Sequence, residues 1–459
     1  MTLKRLIRRG ADRLPGFKKA QVFTDEEEKQ LADYLLHASR LNYGLSLMKF
    51  RELAYEFGVA NHKKIPATWD VKKIAGRDWA RSFMDRNSCL SLRNPEPTSL
   101  ARSTAFNKHT VSTFFAKLKT VIEKHGFTPE NIWNLDETGV TTVHRPSKII
   151  GPKGAKQVAK VTSGERGQLV TVCSAVNACG NHVPPFLILP IVNWQDRMLQ
   201  GAPPGSAGAT HSSGWMTKEN FLKYLEHFRK HSNCSLNNKQ LIILDNHDSH
   251  VNIEIINFAR SNGLVLLTLP PHTSHKLQPL DRTVFEPLKT YYNSVASDWM
   301  TNNPGKNLTI YDIAGLLGQA YPKAFSPANI QSGFRVSGIF PFNSDIFRED
   351  EFYTSLVTDR PNPMGETTVD PVVPEFPPAL SPSSQPGPSN QLHQSPTTNP
   401  SSVMISPVEV RPFPQAPPRV GIPTKGRKRG RCRILTETPE KVELEAELLA
   451  KSERKASRV

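Results

Sequence analysis

Cysteine is scarce and poorly spaced for structural use. Cys89, Cys173, Cys179, Cys234 and Cys432 form an odd set with no C-x-x-C pair, which excludes a disulfide framework and a zinc module and points to a reducing compartment. Long apolar runs are missing too. The longest, at 186–192 and 264–269, fall far short of the roughly 20 residues that a bilayer requires. Met1-Thr2-Leu3-Lys4-Arg5 leads into charge rather than into the apolar stretch of a signal peptide. The expectation is a soluble intracellular protein with no membrane partner. Neither an H-E-x-x-H zinc motif, a Walker lysine-serine pair nor dinucleotide glycine spacing occurs, so no small-molecule cofactor is expected. No internal repeat recurs at a fixed period. Acidic charge is in deficit, 42 Asp and Glu against 58 Lys and Arg, a net charge of +16, and such an excess calls for a polyanion, most commonly nucleic acid. The excess is clustered at residues 4–19 and again at 425–433, where six basic side chains stand among no acids.

Thr24 and Glu27 make a capping box ahead of Leu31, Leu35 and Ala38, so residues 24–39 read as a helix. Ser46 caps a second, whose face carries Leu47, Phe50, Leu53, Ala54 and Phe57 and which Gly58 should stop. Residues 76–86 give a third. Three short helices with Arg77, Arg81, Arg86 and Arg93 nearby resemble a helix-turn-helix unit resting on a phosphate backbone; a small bundle of other purpose has the same pattern. A connector helix follows at 104–125. From Ile132 onward short apolar runs, 132–135, 169–176, 186–189, 241–244 and 264–269, alternate with helical stretches at 220–231 and 252–262. The last two runs are continuous, as strands covered on both faces should be. This order is α/β and resembles the ribonuclease H-like fold; periodicity gives only the class.

The expected architecture is therefore multidomain: a basic arm (1–19), an all-α helix-turn-helix domain (20–95), a connector (96–130), an α/β ribonuclease H-like domain (131–350), a disordered Pro- and Ser-rich linker (351–422) and a basic tail (423–459). A short isolated helix is expected at 440–451.

Three aspartates follow or interrupt apolar runs: Asp136 at the end of the first strand, Asp245 at the end of a neighbouring one, and Asp281 near the start of a helix after Pro279. Taken singly, each is more often a strand end or a helix cap. Together they suit a hard divalent cation, Mg²⁺ or Mn²⁺. Two such ions about 3.5–4 Å apart can activate the attacking oxygen and stabilise the leaving oxygen at phosphorus. Glu137, Asn246, His247, Asp248 and His250 lie close in sequence and are candidates to support the ligands. His247-x-x-His250 and His272-x-x-His275 lack a third zinc ligand at an established spacing and are read as substrate-facing or hydrogen-bonding. Residues 163–168 read as a hairpin turn.

The motifs Asn134-Leu135-Asp136-Glu137-Thr138-Gly139, Leu244-Asp245-Asn246-His247-Asp248-Ser249-His250, 269–281 ending in Leu277-Gln278-Pro279-Leu280-Asp281, and 333–343 resemble the pogo and Tigger-type transposases of the Tc1/mariner superfamily. Centromere protein B and Jerky are their DNA-binding relatives. The segment with Gly76-Arg77-Asp78-Trp79, Phe83 and Leu90-Ser91-Leu92-Arg93 is similar to the centromere-protein-B-type helix-turn-helix.

The resemblance implies a DDE endonuclease domain with metal ligands at Asp136, Asp245 and Asp281, two divalent ions, and cleavage and joining of double-stranded DNA. It equally admits a domesticated nuclear DNA-binding protein without catalysis, or an element relic with no retained role. The family usually places another helix-turn-helix ahead of residues 24–93, where this chain has a short basic stretch. Lys425, Arg427, Lys428, Arg429, Arg431 and Arg433 resemble an AT-hook and serve equally as a nuclear localisation signal, so nuclear location, an import receptor and a homodimer are the remaining expectations.

Overall fold

The computed structural model describes residues 21–155, 157–247, 249–358, 404–417 and 431–456. The basic arm, most of the Pro-rich linker, Asp248 and the basic residues Lys425, Arg427, Lys428 and Arg429 lie outside these. The chain forms two compact units, residues 1–98 with 353–424, and residues 99–352 with 425–459.

Among the described residues up to 98, the first unit has the helices α1 (Asp25–Arg40), α2 (Leu47–Ala60), α3 (Ala67–Lys72) and α4 (Arg77–Arg86). Thr24 and Glu27 close the expected capping box on α1, each side chain taking the other's backbone N–H. Gly58 does not stop α2. It sits within the helix, where an added Cβ would stand 3.0 Å from Ile65 Cγ2, so its role is close packing; the chain turns at His62, with a φ of 50°. Helix α3 has no side-chain cap and only 6 residues, and periodicity does not reveal an element so short. Phe23, Leu31, Phe50, Leu53, Phe57, Trp69 and Phe83 form the core.

The second unit opens with α5 (Leu100–Ala105) and α6 (Lys108–His125), two helices where periodicity suggests one. The break falls at Asn107, whose side chain accepts from Thr110 N–H and starts α6 afresh. A mixed sheet follows, of β1 (Ile132–Thr141), β2 (Leu169–Asn177), β3 (Phe186–Leu189), β4 (Ala207–Thr210), β5 (Gln240–Leu244) and β6 (Leu264–Thr268), in the order β4-β3-β2-β1-β5-β6. The pairs β1–β2 and β2–β3 are antiparallel, while β1–β5, β5–β6 and β3–β4 are parallel. A three-stranded meander, with two parallel strands added beside β1 and β4 parallel beside β3, makes a mixed sheet of the expected α/β class. Residues 163–168 lie in the long β1–β2 connection rather than in a tight hairpin; Gln168 N–H donates to Thr142 Oγ1.

Alternation sends Leu241 and Ile243 to one face of the sheet and Ile242 and Leu244 to the other. The first face packs with α6, α11 (Phe285–Asn302), α12 (Ile313–Ala324) and α13 (Pro327–Val336); the second packs with α7 (Lys218–Ser232) and α8 (Ile253–Ser261). Between β6 and α11 come the short helices α9 (Ser274–Leu277) and α10 (Pro279–Thr283).

Strand β6 is last in the sheet yet wholly buried, because the chain's own distant segment covers its edge. Thr268 N–H donates to Arg433 O and Leu435 N–H to Leu266 O, both at 2.9 Å. The helix expected at 440–451 runs as α14 (Thr438–Ala456) and is not isolated, since Leu444 packs on the second core face. An exposed strand edge invites association, and covering it prevents that.

Candidate active site

Strand β1 outruns its neighbour. Its parallel pairing with β5 ends near Asn134 and Ile243, and two residues beyond that pair on each strand stand Asp136 and Asp245. Asp136 is thus mid-strand rather than at the strand end: β1 continues to Thr141 against β2, with Asp136 opposite Ser174. Asp245 follows the last residue of β5, at the carboxyl end of a parallel strand, the place where α/β sheets bind ligands. Asp281 stands in the first turn of α10, after Pro279 at the opening of that helix.

Two buried amides fix the three segments against one another. Asn134 Nδ2 donates to Ile243 O at 3.0 Å and to Gln278 Oε1 at 2.9 Å; its Oδ1 accepts from Leu280 N–H at 3.0 Å. Gln278 Nε2 donates to Leu135 O at 3.2 Å. Each amide is fully buried, and each bonded segment carries one of the three aspartates within three residues. Asn134 and Gln278 lie inside the sequence motifs, but their role follows only from β1, β5 and α10 being neighbours.

The carboxylates feel one another. Burial, and then the charges of Asp281, Glu137 and Asp245, push Asp136 well above the usual carboxylate range, with Gln278 pulling the other way. Crowding by the protein also raises Asp281; Lys289 and Arg102 oppose this and Asp245 adds to it. Asp245 differs. Burial would raise it, but contact with His250 and the His247 N–H hold it below the usual range. His250 is buried among Phe221 and two acids: Nε2 lies 3.0 Å from Glu137 Oε1 and Nδ1 2.8 Å from Asp245 Oδ1. Burial alone would lower its pKa, yet Glu137 and Asp245 together push it up to about 10. Of the expected supporting residues, His250 thus contacts both Glu137 and Asp245. His247 is exposed and bonds Ser249 Oγ at 2.8 Å; Asn246 Nδ2 reaches Arg431 O at 3.3 Å. His275 is held near pKa 4, mainly by burial and by Lys276.

Asp136, a hard oxygen donor raised by burial and by three neighbouring acids, is the group that a divalent cation would most relieve. Among the described residues no three acidic, histidine or cysteine side chains stand as a ready-made ligand set, and Asp245 is engaged with His250. Among the described residues no helix is long and apolar enough to cross a membrane.

The basic candidates divide. Arg77 and Arg81 are exposed on α4, and Arg93 is exposed with Nε 3.1 Å from Ser91 Oγ. Arg86 instead grips Glu28 with two nitrogens, at 2.9 and 2.6 Å. A groove at the start of α4 is lined by Arg51, Trp69, Lys72 and Arg77, adding Arg51 and Lys72, which sequence reading passed over. Arg431 and Arg433 are not part of a free basic run: Arg431 pairs with Glu443 and Glu440 of α14, and Arg433 Nε lies 3.8 Å from Glu440. The reason is local. Buried Cys432, Ile434 and Leu435 draw this stretch onto β6.

Residues 167–334 match the family model of the DDE superfamily endonucleases, a span that holds Asp245 and Asp281. The chain is 28% identical over 230 residues to the MFS-type transporter clz9 of Cochliobolus lunatus, covering 49% of this chain and 24% of that protein. It is 25% identical over 235 residues to the pogo transposable element with KRAB domain of Homo sapiens, covering 49% and 36%. The mouse counterpart is 24% identical, with 49% and 37% covered. The chain thus spans between a quarter and about two fifths of these relatives' length. Among solved structures, the Mos1 transposase paired-end complex with left transposon end aligns with a TM-score of 0.39 at 10% identity, covering 72% of this chain and 85% of that one. The Mos1 mariner paired end complex with Mn aligns at 0.38 and 12%, covering 69% and 80%.

Proposed function

We propose that this chain is a DDE transposase-derived protein of the pogo and Tc1/mariner kind. It is a nuclear DNA-binding endonuclease and transposase that cuts and joins phosphodiester bonds in double-stranded DNA. The observation that supports this reading is electrostatic proximity: the charges of Asp281 and Asp245 both raise Asp136, and that of Asp245 raises Asp281.

Asp136, Asp245 and Asp281 would hold two Mg²⁺ or Mn²⁺ ions, which supply an activated attacking oxygen and a stabilised leaving oxygen at phosphorus. The chain's own residues do the rest. Asn134 and Gln278 keep the three aspartates in register, so little reorganisation remains when DNA arrives. His250 holds Asp245 ionised. Lys289 and Arg102, whose charges bear on Asp281, are the cations beside it that a phosphate backbone would meet.

In the helical unit, Arg51, Lys72, Arg77, Arg81 and Arg93 are the phosphate contacts of a centromere-protein-B-type helix-turn-helix. The uncapped N-terminus of α4 beside the groove adds backbone N–H donors. Lys425, Arg427, Lys428 and Arg429 are the import signal, and DNA-bound copies pair as a homodimer.

The test is nicking of supercoiled DNA by the purified chain with Mn²⁺ or Mg²⁺. Asp245→Asn should lower it by about 10²-fold or more, with DNA binding unchanged; equal cleavage by both proteins overturns the assignment. A second reading, a domesticated nuclear DNA-binding protein without catalysis, draws on the contact that already engages Asp245 with His250. It predicts DNA binding by both proteins and cleavage by neither.

A further inference from the structure

The helical unit carries an occupied groove that its own fold does not explain. Residues 404–417, read from composition as part of a linker, lie along α1 and α2, with Tyr34 and Arg411 bonded across 377 positions of sequence. Asn61 reads the backbone of Ile405 in both directions: Nδ2 donates to Ile405 O and Oδ1 accepts from Ile405 N–H, each at 2.9 Å. Pro407 is buried at the start of a one-turn helix, Pro407–Val410, which Ser406 and Glu409 close as a capping box.

Arg411 is the polar anchor. Its Nη2 lies 2.7 and 2.8 Å from the two carboxylate oxygens of Glu56, Nη1 donates to Lys49 O at 3.3 Å, and its own carbonyl accepts from Tyr34 Oη at 2.9 Å. Two residues on, Phe413 is the apolar anchor, stacked on Tyr34 at 4.7 Å and packed against His37 at 4.6 Å. Ala416 N–H then donates to Val357 O at 2.8 Å.

These are the marks of peptide recognition: backbone hydrogen bonds for purchase, and pockets for alternate side chains for selectivity. The buried core of the unit is drawn entirely from residues 23–83, with Val410 and Phe413 only lying against it, while Met404, Ile405 and Val408 stay exposed. The segment decorates a core built by other residues.

We infer that the α1–α2 face is a peptide-docking site, selective for an arginine followed two residues later by an aromatic behind a Ser-Pro turn, and that residues 404–417 are its resident, exchangeable ligand. Tethering explains occupancy without tight binding. A covalently linked segment acts at an effective concentration of the order of mM, so a site with an intrinsic Kd of about 10 µM stays filled.

The experiment uses the full chain and a fluorescent peptide of residues 404–417. The double variant Arg411→Ala, Phe413→Ala should empty the groove and capture the peptide with a Kd of about 10 µM. The unaltered chain should bind it about 100-fold more weakly, because its own segment competes, and adding Glu56→Ala to the double variant should abolish capture. Absence of capture by the double variant, equal capture by the unaltered chain, or indifference to Glu56→Ala overturns the proposal.

Hydrogen exchange on Glu56→Ala alone covers the case of a misfolded double variant. Exchange should speed up at 404–417 while the amides of α2 keep their protection. Unchanged exchange at 404–417, or loss of protection in both places, makes the segment an integral part of the core and overturns the proposal as well.

Discussion

Burying an imidazolium is costly unless anions meet it, and at His250 two do. The sign of the linkage follows from the raised pKa. A histidine whose folded pKa stands at about 10, above the ordinary value near 6.5, contributes stability that is fully present below about pH 6.5 and is lost as pH climbs towards 10. His250→Gln should therefore unfold more easily than the unaltered chain at pH 6, by about 1–3 kcal/mol. The two denaturation curves should converge as pH approaches 10. A constant gap across that range would mean that the ring matters for packing against Phe221 and not for charge. The three aspartates were legible in sequence because each closes or interrupts an apolar run inside a recognisable motif. The amides that register them were not, since nothing in the chain order says that Gln278 meets Asn134.

At the scale of elements, legibility followed the strength of local chemistry. The capping box at Thr24 and Glu27, and the continuous apolar runs of β5 and β6, located their elements within a residue or two. The misses were elements held by tertiary contact alone. Helix α3 and strand β4 are 6 and 4 residues long, and the reach of β1 beyond Leu135 depends on β2 being there to pair with it. That overrun matters, since it is what parts β1 from β5 at Asp136 and Asp245. The joint is held by Asn134, so Asn134→Ala leaves Leu280 N–H and Gln278 Oε1 without their partner in a buried site. The expected cost is about 3 kcal/mol in urea denaturation. A loss below about 1 kcal/mol would show that water or a shifted Gln278 can replace the amide.

For the whole molecule, composition misled in one direction. Residues 351–459 read as linker and tail, yet 404–417 return to the helical unit and 431–456 to the sheet. The signals were present but small: the Ser406–Glu409 capping box, and the apolar Cys432, Ile434 and Leu435 within a basic stretch. A chain ending at residue 430 should lose the cover over Leu266 and Thr268. It should melt lower and associate through the bared β6 edge, which size-exclusion chromatography at rising concentration would register. A monomer of unchanged Tm would count against the covering role.

That late cover also sets a timetable for biosynthesis. Thr268 waits for a partner 165 positions downstream, and at ribosomal rates of about 5–20 residues per second the gap lasts roughly 8–30 s. Throughout that interval the nascent sheet presents naked amides on a hydrophobic strand, which makes the emerging polypeptide a natural client for chaperones that shield such edges until translation delivers the closing segment.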